Sequence, residues 1–221
     1  MFRDRFHAGR ALAGMLARYA GRPDVVVLAL PRGGVPVGYE VARALGAPLD
    51  VFPVRKLGVP GREELAMGAV AAGGVVVVNE EVVRRLDIPA SVLDAAAAEE
   101  LPELDRRAEA YRGGRPAPNL QGKTVVFVDD GLATGSTMRA AVAAVRQLGP
   151  AGVVVAVPVG ALETCDEFRH LADDVVCAAT PEPFFAVGSW YQDFAQTTEA
   201  EVRELLARSR PTRDEEEEGM R

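Results

Sequence analysis

Two adjacent carboxylates, Asp129 and Asp130, close an apolar and mostly β-branched run, Val125 to Val128. A loop of Gly, Thr and Ser follows them. From Thr137 a helical pattern sets Met138, Ala141, Val142, Val145 and Leu148 on one face. A strand that ends in acids and turns through small residues into a helix N-terminus suits an anionic sugar. The backbone N–H groups of Thr134, Gly135, Ser136 and Thr137 are placed to converge on a phosphate, and the helix dipole adds to their pull. Gly131 and Gly135 permit tight turns and close backbone approach. The two carboxylates can accept hydrogen bonds from vicinal sugar hydroxyls. Other phosphate loops fit badly: no Lys follows Gly135, and no G-x-G-x-x-G opens a helix after the first strand.

The elements that position these groups follow the chain. Residues 5 to 20 read as an amphipathic helix with Phe6, Leu12, Leu16 and Tyr19 toward the core. Val25 to Leu30 is a first strand, and Pro31 to Gly38 leads into a helix carrying Tyr39, Val41, Ala42 and Leu45. A second strand, Leu49 to Val54, ends in Arg55 and Lys56. In open α/β sheets ligands bind beyond the carboxyl ends of the strands, so Arg32, Gly33, Arg55 and Lys56 are expected on the edge that carries Asp129 and Asp130. Gly33 and Gly34 offer backbone N–H groups to an anion with the Arg32 guanidinium nearby. Leu65 to Val78, broken by Gly73 and Gly74, reads as a β-hairpin preceded by a loop bearing Arg62. Residues 80 to 111 carry helix signals: Ser91 and Asp94 at capping-box spacing, and a stripe of Leu93, Ala97, Leu101, Leu104, Ala108 and Tyr111. Pro102 is expected to kink or split that helix. Val153 to Val157 and Val175 to Ala179 are further strands, with a helix over 162 to 171 between them carrying Phe168 and Leu171. A helix over about 199 to 208 ends the pattern.

Composition sets bounds. With 221 residues, 48% of them apolar, the chain can build one α/β core. The expected organisation is a single domain over 1–210, with a helical insertion at 80–118 and a hood plus C-terminal helix at 180–210. The DEEEE run at Asp214 to Glu218 marks 211–221 as a disordered acidic tail. The formal charge of −7 leaves no basic field for nucleic acid. No apolar run has membrane-spanning length, and the N-terminus is too charged for a signal peptide. Cys165 and Cys177 are too few and too unpatterned for a disulfide scaffold or a zinc site, and read as buried thiols. A cytoplasmic location is expected.

The stretch VVFVDDGLATGST resembles the phosphoribosyl-pyrophosphate signature of type I phosphoribosyltransferases: four hydrophobics, two acids, and a loop closing on T-G-[small]-T. The resemblance implies a five-stranded parallel sheet flanked by helices, ordered 3-2-1-4-5, with a small hood. The implied reaction displaces pyrophosphate from C1 of phosphoribosyl pyrophosphate by a nitrogen heterocycle. Asp129 and Asp130 are implied to hold the ribose hydroxyls and, directly or through water, a Mg²⁺ ion. Residues 134 to 137 then anchor the 5′-phosphate, Pro31 to Gly34 grip pyrophosphate, and Arg32, Lys56 and Arg62 stabilise its departure, Arg62 from a mobile loop. The segment TPEPFFAVGSWYQDF resembles the base-reading element of purine-specific members at Phe185, Val187, Gly188 and Asp193, with one residue of extra spacing before the aspartate. Its bland alternative is an aromatic staple for the C-terminal helix. Hypoxanthine–guanine members place an aspartate where Ala133 stands; the alanine resembles adenine-type members. Two rivals stand beside the transferase: a non-catalytic sensor of nucleotide or phosphoribosyl pyrophosphate, and a hydrolase using water as acceptor. The extra helix and the apolar hairpin are compatible with a homodimer.

Overall fold

Along Val25–Leu30 and Val125–Val128 side chains point alternately to opposite faces, and every one of them is buried. Such strands belong to a sheet covered on both sides. The computed structural model describes residues 1–71 and 73–209; the segment expected to be an acidic tail lies outside them.

In chain order the elements are α1 (Arg5–Met15), β1 (Val25–Ala29), α2 (Gly34–Leu45), β2 (Leu49–Val51), β3 (Val54–Val59), β4 (Arg62–Ala71), β5 (Val75–Val78), α3 (Glu80–Arg85) and α4 (Ala90–Arg112). They continue with β6 (Thr124–Val128), α5 (Ser136–Arg146), β7 (Gly152–Val157), α6 (Leu162–Phe168), β8 (Asp174–Cys177) and α7 (Glu199–Arg208). Five strands form a parallel sheet in the order β2-β1-β6-β7-β8. Numbered along the chain, its strands lie 2-1-3-4-5 and not 3-2-1-4-5. After β2 the chain leaves the sheet for a long excursion and returns at β6 beside β1. Val25, Val27 and Ala29 pack with α1, α2 and α7 on one face, while Val26, Leu28 and Phe127 pack with α5 and Phe168 on the other. Phe6, expected in the core, is exposed at 36%.

The excursion is a second, antiparallel sheet, β3-β4-β5, roofed by α4. The expected hairpin is β4–β5, turning at Gly73 and Gly74 with φ of 88° and 81°. The expected strand 49–54 is broken: Pro53 has no N–H for the ladder, and Phe52 turns inward onto Phe127, ring centroids 5.3 Å apart. Arg55 and Lys56 therefore ride on β3 and do not end a parallel strand. The stripe of α4 packs as expected, Leu93, Ala97 and Leu104 meeting Leu57, Met67 and Val70. Two expectations fail there. α4 runs unbroken through Pro102, which lies on the exposed side, and it starts at Ala90 with no side-chain cap from Ser91.

Leu171 is exposed at 39%, beyond the end of α6. Cys165 and Cys177 form a disulfide, correcting the reading as thiols; α6 lies against β8 and brings their Cα atoms to 6.6 Å. Among the described residues, no helix is long and apolar enough to cross a membrane.

Candidate active site

β1 and β6 end in register: Ala29 faces Val128, and the Leu30 N–H donates to the Val128 carbonyl at 2.9 Å. That alignment sets Pro31–Gly34 directly against Asp129 and Asp130. The fit leaves no space for a side chain. A Cβ on Gly33 would strike the Asp130 carboxylate, and one on Gly34 would sit 2.7 Å from the Val128 carbonyl oxygen. Asp129 Oδ1 accepts from the Asp130 N–H at 2.9 Å. Asp130 Oδ2 accepts from Arg5 Nε at 2.8 Å, the two side chains being only 16% and 10% exposed. The Asp130 carbonyl accepts from the Tyr191 hydroxyl at 2.6 Å.

Electrostatically the pair is under-compensated. Burial pushes the Asp129 carboxyl well above the usual carboxylate range, and the neighbouring Asp130 pushes it further. Burial also raises Asp130, against the pull of the Arg5 guanidinium. Tyr191 is raised by burial first and by Asp130 second. One guanidinium thus faces two carboxyls. A cation or a pair of hydroxyl donors entering here would favour the ionised forms.

The loop after the acids is shaped for an anion. Gly135 adopts φ 70°, and a Cβ on it would meet Phe168 Cε2 at 2.6 Å, so only glycine lets the turn press onto α6. The Ala133 carbonyl is held by Thr164 Oγ1 at 2.7 Å and the Thr134 carbonyl by Arg139 at 2.8 Å. With those oxygens fixed, the backbone N–H groups of Thr134, Gly135, Ser136 and Thr137 have no protein acceptor among the described residues. They are the orphan donors of an eleven-residue helix and its approach. Ala133, Thr134 and Thr137 are exposed.

Beyond the first loop lies a cavity of about 280 Å³ whose lining includes Arg32, Phe52, Arg55, Tyr111, Thr137 and Glu199. Arg32 has no carboxylate partner among the described residues. Arg55 pairs with Glu100 of α4 at 3.0 Å.

Other expected residues fall elsewhere. Lys56 lines a separate groove of about 630 Å³ between α5 and the antiparallel sheet, which meets the loop after the acids only through Ser136. Arg62 begins β4 beside Glu81 and Arg85. The shared edge predicted for Lys56 is therefore not formed, because β3 turns away from the parallel sheet. Val187 lies over the loop, where a Cβ on Gly131 would collide with it. Phe185 is 83% exposed, so it staples nothing. Asp193 is exposed and accepts from the Ala195 N–H at 3.0 Å.

Arg5 and Tyr191 escaped the sequence reading. The first strand-like contact of the chain explains both. Phe2 pairs with Tyr191 as a parallel bridge, and the Phe2 N–H donates to the Trp190 carbonyl at 2.8 Å. Arg5 then lies 3.9 Å over the Phe194 ring and donates to the Ala195 carbonyl at 2.6 Å. One signal was available: Arg5 opens α1, where a cation is unfavourable toward the helix dipole and so points to a partner elsewhere.

Solved structures share this frame. The crystal structure of TT1426 from Thermus thermophilus is 46% identical, covers 95% of this chain and 99% of its own, and superposes with a TM-score of 0.86. The structure of the AQ2163 protein from Aquifex aeolicus, 13% identical over 83% of this chain and 78% of its own, shares the fold at a TM-score of 0.51. Proteins of two Mycobacterium tuberculosis strains, provisionally named phosphoribosyl transferases, are 51% identical over 209 residues, or 95% of this chain. The chain spans about half the length of these curated relatives, at 47%. The family profile described as "Phosphoribosyl transferase domain" matches residues 60–192, a span holding the acid pair, the glycine loop after it and the segment over it. More than half of the sequence is thereby accounted for, and the chain belongs to the phosphoribosyl transferase domain family.

Proposed function

We propose that this chain transfers a phosphoribosyl group from phosphoribosyl pyrophosphate to a nitrogen heterocycle, a nucleobase in the simplest case, and releases pyrophosphate. One observation carries the reading: Gly33 and Gly34 are pressed against the acid pair so closely that no side chain fits. A pyrophosphate loop and a ribose-binding carboxylate pair need that adjacency, because the bond to be broken at C1 lies between their ligands.

In this reading Asp129 and Asp130 accept hydrogen bonds from the ribose hydroxyls, and Thr134 to Thr137 donate to the 5′-phosphate. Gly33, Gly34 and Arg32 meet the pyrophosphate. The transition state is oxocarbenium-like, so positioning and fixed charge do most of the catalytic work. Lys56 and Arg62 join only if the β3–β4 hairpin closes over the donor and excludes water. Phe185, Val187 and Asp193 face the acceptor, and Ala133 leaves the spot beside the base uncharged. Mg²⁺ fits the acid pair. Among the described residues no group of three or more metal-ligating side chains occurs, so an ion here takes most of its ligands from substrate and water, as Mg²⁺ prefers. It would supply neutralising charge to the pyrophosphate oxygens.

Binding without turnover has two observations in its favour. Arg5 already occupies Asp130, while Lys56 and Arg62 lie off the cavity. The deciding experiment is pyrophosphate release from phosphoribosyl pyrophosphate and Mg²⁺, screened over purines, pyrimidines and other nitrogen heterocycles with a no-acceptor control. Release dependent on one base is the expected result. Release without acceptor indicates hydrolysis, and tight binding without release indicates a sensor.

A further inference from the structure

We infer that α4, the helix inserted between the antiparallel sheet and β6, completes the pyrophosphate subsite, with the Arg107 guanidinium as a direct contact to the diphosphate. This rests on the donor reading above and extends it to a segment outside the signature.

The cavity of about 280 Å³ has three kinds of wall. Leu30, Pro31, Arg32 and Thr137 come from the two donor loops. Phe52 to Arg55 come from the link between β2 and β3. Leu104, Arg107 and Tyr111 come from α4, joined by Glu199 of α7. The volume falls below the roughly 300–1,000 Å³ of sites for drug-sized ligands, and suits a small hydrated anion. Three guanidiniums line the cavity, Arg32, Arg55 and Arg107, beside the carboxylate of Glu199; Arg55 and Arg107 are also paired with Glu100 and Glu103, outside the lining.

Arg107 is not used up by its neighbours. Its Nε donates to Glu103 Oε1 at 2.6 Å, but Glu103 also receives two bonds from Arg106, at 2.7 and 3.0 Å. One carboxylate therefore serves two guanidiniums. The Nη groups of Arg107 have no protein acceptor among the described residues, which leaves its forked donors for a diphosphate. Tyr111, one turn on, is buried, and its phenol lies within the fields of Arg107, Arg32 and Glu199. The helix is fixed at this end: Arg112 Nε donates to Asp50 Oδ2 at 2.8 Å, tying α4 to β2 of the parallel sheet. Arg107 is thus held on a rigid element and not on a loop.

The test is calorimetry with magnesium pyrophosphate, phosphoribosyl pyrophosphate and ribose 5-phosphate on four proteins: wild type, Arg107→Gln, Arg107→Lys and Arg106→Gln. Arg107 is 44% exposed, so its variants should fold, with melting curves as the check. Arg107→Gln should weaken pyrophosphate and the full donor by about tenfold or more, the scale of one charge-assisted hydrogen bond, and ribose 5-phosphate by less than about twofold. Arg107→Lys should recover part of the loss. Arg106→Gln, which removes the same charge from the same Glu103 but lies outside the cavity, should match wild type. Equal losses from Arg106→Gln and Arg107→Gln, or no loss from Arg107→Gln in a protein that binds the donor, would overturn the inference alone. A wild type that binds neither pyrophosphate nor the donor overturns the donor reading and this subsite with it.

Discussion

At the scale of single residues, Asp129 costs the ligand-free fold stability. Burial raises the folded-state pKa of both acids above the ordinary 3.8. The folded state then holds more protons than the unfolded one, and stability falls as pH rises from the unfolded value through the folded one. Asp129→Asn removes that cost and can keep the bond from the Asp130 N–H. The ligand-free variant should melt a few degrees higher than wild type at pH 7.5, on the order of 1 kcal/mol, with the gap closing toward pH 4. Joined with Asp130→Asn it should abolish Mg²⁺-dependent donor binding; near-wild-type affinity in calorimetry would remove these acids from the site. Arg5 behaves in the opposite way. Arg5→Met strands a mostly buried carboxylate and should cost roughly 2–3 kcal/mol in urea unfolding at pH 7.5, and less toward pH 4, since burial already favours the neutral Asp130 carboxyl. An equal cost at both pH values would mean that the loss is packing over Phe194. The strand ending in two acids and the glycine turn into α5 were legible because each is a short local pattern. Arg5 was not, since its partner lies 125 residues away.

Among elements, the parallel strands were legible because they are buried on both faces, and their apolar runs admit little else. The antiparallel sheet was only half legible. Its β4–β5 turn is written in two glycines, but the break at Pro53 is a single residue inside an apolar run, and it moved Arg55 and Lys56 to another surface. Helix α4 shows periodicity outweighing a local signal: its apolar stripe holds it together across Pro102, which lies on the exposed face. Leu104 sits in that stripe, buried against the antiparallel sheet and lining the cavity. Leu104→Ala should cost about 2–4 kcal/mol by cavity formation, read from denaturant unfolding. A cost under about 1 kcal/mol would show that α4 is only loosely laid on the sheet.

For the whole molecule, the parallel sheet supplies the platform, and the segments near the two ends of the described chain close the site over it. Phe2 packs on Tyr191 with ring centroids 5.6 Å apart, and backbone bonds run in both directions between Phe2 and the 190–192 stretch. Phe2→Ala should speed amide exchange at Gln192 and Asp193 far more than at β6, and should weaken the donor by releasing Arg5 from Asp130. Unchanged exchange at those two amides would show that the bridge holds without its ring. The closure also has a consequence in time, set by sequence separation alone. Arg5 meets Ala195 across 190 residues of sequence, so the first turn of α1 must wait for a segment 190 residues downstream before it has its partner. Contacts of such separation form late. On the ribosome, a nascent chain already carrying β6 and the loop after it would hold an acid pair without its counter-cation until the aromatic segment emerges.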